Sequence, residues 1–226
     1  MSGLSLSGTG LTITGGSGGG GGGTSGMFGP VLTNAAVPTS ASTGLTTWQN
    51  QVSSTVADTP VGIAMTLAPS GSPGFSYRTR PAPATPYTAT ALISCIANTD
   101  NYVSSALMFS DGTKNTQVFW SYTNTANLTY IVQNNNSPTS FAGNLFVAAS
   151  APYPNPLWLQ IQDDGTNVYF RVSADGYNFI TPYSMAKAGS FLGASGYTNI
   201  GWGISYQAGY SGTPNIIGTL MYWNIS

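Results

Sequence analysis

Few residues in this 226-residue chain could do chemistry, and the absences narrow the field first. There is no histidine, and every acidic residue is an aspartate. Ser-His-Asp triads, Cys-His dyads and zinc centres built on histidine are therefore excluded. A glycosidase would have to work with a pair of aspartates, one of them raised in pKa to act as acid. Asp100, Asp111, Asp163, Asp164 and Asp175 all lie in turn-like sequence, where loop carboxylates and carbonyls together could hold calcium. An Asx-turn explains each of them singly without a metal. No cofactor is expected on this reading, with loop-bound calcium the less favoured alternative, and no catalytic residue is assigned.

The side chains best suited to recognition are aromatic. Trp158, Tyr169 and Arg171 fall in the stretch Pro156 to Phe179, PLWLQIQDDGTNVYFRVSADGYNF. Leu157, Leu159 and Ile161 alternate with Trp158, Gln160 and Gln162, and Val168, Phe170 and Val172 alternate with Tyr169, Arg171 and Ser173. Period two is the side-chain repeat of a strand with one buried face. Asp-Asp-Gly-Thr-Asn between the runs, and Asp175-Gly176 after them, are turn chemistry. The stretch reads as a β-hairpin whose Leu/Ile/Val/Phe set faces a core and whose Trp158, Tyr169 and Arg171 share the other face. A register setting Trp158 opposite Arg171 would add a cation–π contact of about 0.5–2 kcal/mol. Together with Tyr206 and Tyr210, these rings could form a sugar-stacking platform; the competing reading is that protein covers them. Cys95 follows Tyr87, Ala89, Ala91 and Ile93 on one strand face and reads as a small buried apolar residue. Gly18 to Gly23 lacks the Lys and Ser/Thr of a phosphate loop and precedes no helix.

The rest of the chain must position that hairpin. Only five Lys/Arg and six Asp are charged, for a net charge of −1, so there is no basic patch for nucleic acid. No run approaches 18 apolar residues, so no membrane span is expected, and no basic region precedes an apolar core at the N-terminus, so no secretion signal is expected. Residues 1–26 stand apart as a glycine-rich arm or linker. Leu4/Leu6 and Leu11/Ile13 alternate with Ser and Thr as two very short strands would, and the segment is either a free tail or an assembly arm docking those side chains on another subunit. Residues 27–226 form the body. Strands are predicted over Val61–Leu67, Tyr87–Ala97, Ser104–Phe109, Gln117–Tyr122, Leu128–Gln133, Ile200–Tyr206 and Ile216–Ile225, with prolines 69, 73, 81, 83 and 86 marking loops. No segment carries a helical period with caps; Ser184–Ala188 could make one turn. Many strands and no helices give an all-β, two-sheet antiparallel sandwich.

The order of the pieces resembles the concanavalin A-like, or laminin-G-like, jelly-roll superfamily. Its hairpin pattern is matched by Trp158-Leu159-Gln160-Ile161, Gly165 and Ser173-Ala174-Asp175-Gly176-Tyr177-Asn178-Phe179. Its glycine-apolar-glycine strand is matched by Gly201-Trp202-Gly203-Ile204, and its last strand by Thr219–Ile225. The resemblance covers roughly residues 45–226 and implies the fold, since that superfamily holds enzymes, lectins and structural domains alike. Thr47-Trp48-Gln49-Asn50-Gln51, Asp58-Thr59-Pro60-Val61-Gly62-Ile63 and Ala82-Pro83-Ala84-Thr85-Pro86-Tyr87-Thr88 resemble bacteriophage and prophage proteins that join a glycine-run N-terminus to a jelly-roll body. That resemblance implies a non-enzymatic virion component, a decoration, fibre or tail-appendage protein. Its partners would be other virion proteins and copies of itself, without nucleic acid or membrane, and it would be made in the host cytoplasm. The alternative is a carbohydrate-binding module or receptor-binding domain that recognises surface glycans.

Overall fold

In a computed structural model, the structure describes residues 4–7, 10–13, 36–68, 74–96, 103–122, 128–148, 155–206 and 215–226. The body's strands are β3 (Thr47–Gln49), β4 (Thr55–Thr59), β5 (Gly62–Leu67), β6 (Gly74–Pro81), β7 (Tyr87–Ile96), β8 (Val103–Ser110), β9 (Asn115–Tyr122), β10 (Leu128–Ser137), β11 (Ser140–Ala148), β12 (Leu157–Asp163), β13 (Asn167–Ser173), β14 (Ile180–Ala186), β15 (Asn199–Tyr206) and β16 (Ile216–Ile225). They form two antiparallel sheets of seven, in the orders β11-β10-β9-β8-β15-β6-β3 (the groove sheet) and β14-β13-β12-β7-β16-β5-β4 (the hairpin sheet). In the arm, β1 (Leu4–Ser7) and β2 (Gly10–Ile13) pair only with each other, Leu4 opposite Ile13 and Leu6 opposite Leu11. The side chains of Leu4, Leu6, Leu11 and Ile13, and the glycine run, lie outside the described residues.

The hairpin anticipated from period two is β12–β13. Leu157, Leu159, Ile161, Val168 and Phe170 are fully buried, and they meet Trp120, Trp202, Ile204 and Leu220 in one core between the sheets. Cys95 lies in the same core, and burial pushes its thiol up to about 12.

Five strands escaped the pattern; β3 is only three residues long, and the other four have physical reasons of their own. β6 looked like a proline-marked loop, but Pro81 is its last residue. Its core-side positions, paired with Ile200, Trp202 and Ile204, are Arg80, Arg78 and Ser76, which inverts the usual alternation. β4 is an edge strand with exposed residues. β11 carries register shifts that break period two. β14, where one helical turn over Ser184–Ala188 had been conceivable, is an edge strand and so tolerates Pro182. The one helical turn among the described residues sits elsewhere. α1 (Ser40–Thr43) is closed by a Thr39/Ser42 capping box and by Gly44 at φ 68°. Within that turn and the residue after it, Thr43 and Leu45 offer backbone carbonyls to Arg80 and Arg78.

Candidate binding groove

The sequence-derived platform does not assemble. Trp158 does share the hairpin's outer face, yet it is 2% exposed, covered by the turn that follows β13. Gly176 in that turn has φ 75°, and a Cβ there would stand 2.5 Å from Cε2 of the indole. Only glycine supplies both the left-handed backbone and the close approach. Tyr222 packs edge-on to the same ring, centroids 5.1 Å apart, with Leu92 beside it. The turn itself is wound around Asp175, whose Oδ1 accepts from the amides of Tyr177 and Asn178 at 2.8 Å each. Those donors hold its carboxyl well below the usual carboxylate range.

Arg171 pairs with Gln160 across the hairpin, while Trp158 faces Ser173. Arg171's cation–π partner is accordingly Tyr169, its neighbour on the same face, at 5.1 Å. The guanidinium donates to Gln160 Oε1 (2.8 Å), Gln162 Oε1 (2.5 Å) and Thr181 Oγ1 (3.1 Å), and the Tyr169 hydroxyl donates to Asp164. Tyr206 is 1% exposed in the core between the sheets, and Tyr210 lies outside the described residues.

The aspartates are equally engaged. Asp111 and Asp164 each accept backbone amides of their own turns, and Asp164 is thereby lowered to about 2. Asp163, read as a turn residue, ends β12 fully buried and pairs with Lys187 at 2.7 Å. Asp100 lies outside the described residues. Among the described residues no three His, Cys, Asp or Glu gather as a metal-binding group, and no helix is long and apolar enough to cross a membrane.

The groove sheet's outer face is different. Its register sets out cross-strand rows. One row runs Asn199, Ser110, Asn115, Asn135. The next runs Thr47, Thr79, Gly201, Met108, Gln117, Gln133. The third runs Gln49, Tyr77, Gly203, Ala106, Phe119, Ile131. The face is thus apolar along the third row and amide-rich along the first two. Gly203 accounts for the glycine-apolar-glycine strand: a Cβ there would run into the Tyr77 ring and the Ser76 carbonyl. Tyr77 lies over that gap and donates its hydroxyl to Gln117 Oε1, three strands away.

At the polar end of the face lies a groove of about 440 Å³, within the size range of small-ligand sites. Thr47, Thr79 and Thr113, with Gln49, Asn50 and Asn199, supply its hydrogen-bonding groups; Trp48 and Pro138 supply apolar surface. Among the described residues no ionisable side chain lines it. Its walls are pinned from opposite edges. Phe75 N donates to the Pro138 carbonyl in the β10–β11 turn (3.1 Å), and Asn50 Nδ2 to the Phe75 carbonyl (2.7 Å). Gln49 Nε2 donates to the Thr113 carbonyl at 3.2 Å, which fixes the amide, and its Oε1 is left buried without a partner. Behind it a relay runs from Gln133 Nε2 to Asn135 Oδ1 (2.6 Å) and from Asn135 Nδ2 to Asn115 Oδ1 (2.8 Å). Asn115 Nδ2 and Gln117 Nε2 are likewise unpartnered. Buried polar groups left unpaired cost about 1–3 kcal/mol each.

Sequence reasoning missed this site because amides and threonines carry no motif. The available signal was the spacing of Asn115/Gln117 and Gln133/Asn135, amides two apart where a strand would show apolar residues.

No family model and no curated protein matches the sequence. Solved structures match the shape. A functionally unknown protein from Saccharomyces cerevisiae superposes on 81% of this chain and 96% of its own, with TM-score 0.57 and 9% identity. The GH43 protein BlXynB of Bacillus licheniformis superposes on 72% of this chain with TM-score 0.53 and 13% identity, but this chain spans only 32% of it. A legume lectin-like domain from Entamoeba histolytica superposes on 80% of this chain and 88% of its own, with TM-score 0.52 and 8% identity. The fold is the concanavalin A-like jelly roll. At such identities the likeness concerns the fold alone.

Proposed function

We propose that this protein is a non-enzymatic carbohydrate-recognition module carried on a bacteriophage particle, as a decoration, fibre or tail-appendage component. The observation that carries the recognition reading is the groove's lining: neutral hydroxyls and amides from Thr47, Gln49, Asn50, Thr79, Thr113 and Asn199, with the Gln49 amide fixed by the Thr113 carbonyl. Sugar hydroxyls both donate and accept, and amides and hydroxyls answer them without charge. The legume lectin-like domain shares this architecture, which is compatible with the reading. The aspartates argue against hydrolysis, because each described one is occupied by a turn, a helix start or Lys187. The phage setting rests on the sequence resemblance, and residues 1–26 are the segment that would attach the body to other virion proteins or to copies of itself.

Binding of the full chain to an array of neutral oligosaccharides and host-surface polysaccharides, followed by calorimetry on the strongest ligand, tests recognition. Saturable binding weakened about ten-fold in Gln49→Ala is expected; no binding across the array, or release of reducing ends from a bound polysaccharide, overturns the reading. Removing residues 1–26 is expected to abolish incorporation into particles, and incorporation at normal copy number would overturn the attachment role.

A further inference from the structure

We propose that β11 is a self-association edge, through which two copies of this chain join groove sheet to groove sheet about a two-fold axis at Asn144. Among the described residues β11 pairs with β10 on one side only. Sheet edges are ordinarily guarded by charge, proline, shortness or β-bulges, and of these β11 has only the register shifts it makes against β10. The other body edges show such guards: β3 is three residues long, β4 carries Asp58, and β14 carries Pro182. β11, Ser140–Ala148, is nine residues long with neither a charge nor a proline.

Its sequence is matched to its own image. Register shifts change the usual alternation, so the residues opposite Asn135, Gln133 and Ile131 are Phe141, Asn144 and Val147, all on the outer face. Phe141 and Val147 are 58% and 48% exposed. They stand three residues to either side of Asn144. Antiparallel pairing about that residue sets Phe141 of each copy opposite Val147 of the other, so both exposed apolar side chains meet an apolar partner. The axis residue meets itself, and an amide both donates and accepts, so it can pair with its own image. Across a two-fold any charge near the axis meets its like, and β11 has none. The joined sheets would present both grooves on one continuous face. If the grooves bind glycans as read above, the pair is bivalent; the association does not depend on that.

Sedimentation velocity of the full chain, from roughly 1 µM to several hundred µM, should show a concentration-dependent monomer–dimer equilibrium. Asn144→Lys puts two like charges on the axis, and Phe141→Lys guards the edge at an exposed site. Each should raise the dissociation constant at least about ten-fold while leaving the circular dichroism spectrum of the monomer unchanged. Asn144→Cys should cross-link with itself under mild oxidation, whereas Tyr177→Cys, 66% exposed on the hairpin sheet's side, should not. A chain monomeric throughout, a dimer that survives both lysine variants, or equal cross-linking at 177 would each overturn the proposal. Survival of both variants would move the interface elsewhere, to the N-terminal strands among other surfaces.

Discussion

The outer faces of the two sheets use similar materials to opposite ends. On the hairpin sheet the conspicuous residues are spent: Trp158 lies under Gly176, and Arg171 is shared among Gln160, Gln162 and Thr181. On the groove sheet the inconspicuous residues keep valences in hand: Gln49 Oε1, Asn115 Nδ2 and Gln117 Nε2 have no partner. A satisfied polar network stabilises and has nothing left for a ligand, whereas an unsatisfied one lowers stability and can repay it on binding. Side-chain type therefore misleads about which face holds an open groove: the rings of the hairpin sheet are covered or engaged, and the groove lies on the other sheet.

The sharpest way to break this comparison is Trp158→Ala. Emptying a site 2% exposed and packed by Leu92 and Tyr222 should cost about 3–5 kcal/mol. Thermal or urea unfolding measures it. Ligand affinity of the remaining folded protein should stay unchanged, because the indole belongs to the other sheet. A variant that keeps its stability but loses binding would reverse the roles assigned to the two faces.

Much of the architecture was legible because period two survives wherever one face of a strand is buried. β12 and β13 are the clearest case, and β16 follows. The pattern fails where tertiary structure overrides it. β8 is buried at every position, on both faces. β6 turns Arg78 and Arg80 inward, their heads met by the carbonyls of Leu45 and Thr43. The site was illegible for a related reason. The groove depends on Pro138 reaching Phe75 and Thr113 reaching Gln49, contacts separated by more than sixty residues, as the 64 between Gln49 and Thr113 illustrates. Parity correctly put Trp158 and Arg171 on one face, but it could not set their register or foresee the turn that covers the indole.

Gln49→Ala sharpens the comparison from the groove side. It removes the spare acceptor together with the 3.2 Å bond to Thr113. Affinity should fall about ten-fold, the weight of a single good hydrogen bond. Stability should change little, since one made bond and one unmade group leave together. Calorimetry paired with a melting curve separates the two quantities, and a large loss of stability with unchanged affinity would remove Gln49 from the site.

Acid should act on the hairpin sheet before the groove. Asp164 is lowered to about 2 by the amides of Asn167 and Thr166, and Asp175 lies below the usual range through those of Asn178 and Tyr177. A carboxyl whose folded pKa is depressed contributes stability above its unfolded pKa, near 3.9, and loses it as pH falls through the folded value. Melting temperature should accordingly drop between about pH 4 and 2. Asp164→Asn should start lower at neutral pH and fall less steeply over that window. A slope unaltered by the substitution would show that this turn does not carry the acid sensitivity.

The smallest expected effect is that of salt, and it follows from counting cations. The chain has five Lys/Arg in all. Arg78 donates to the Leu45 carbonyl and lies over Trp48, Arg80 donates to the Thr43 carbonyl, Arg171 is held by three acceptors, and Lys187 is paired with Asp163. Lys114 is left, exposed beside Thr113 at the groove rim and leaning over the Phe191 ring at 5.2 Å. One solvated cation at a rim is screened within a Debye length and adds little to a bound state. Affinity for a neutral glycan should therefore change less than about two-fold between roughly 50 mM and 500 mM salt. Lys114→Gln should be equally quiet. A steep salt dependence abolished by that substitution would mean that the ligand is anionic and is held at the rim, outside the amide-lined groove.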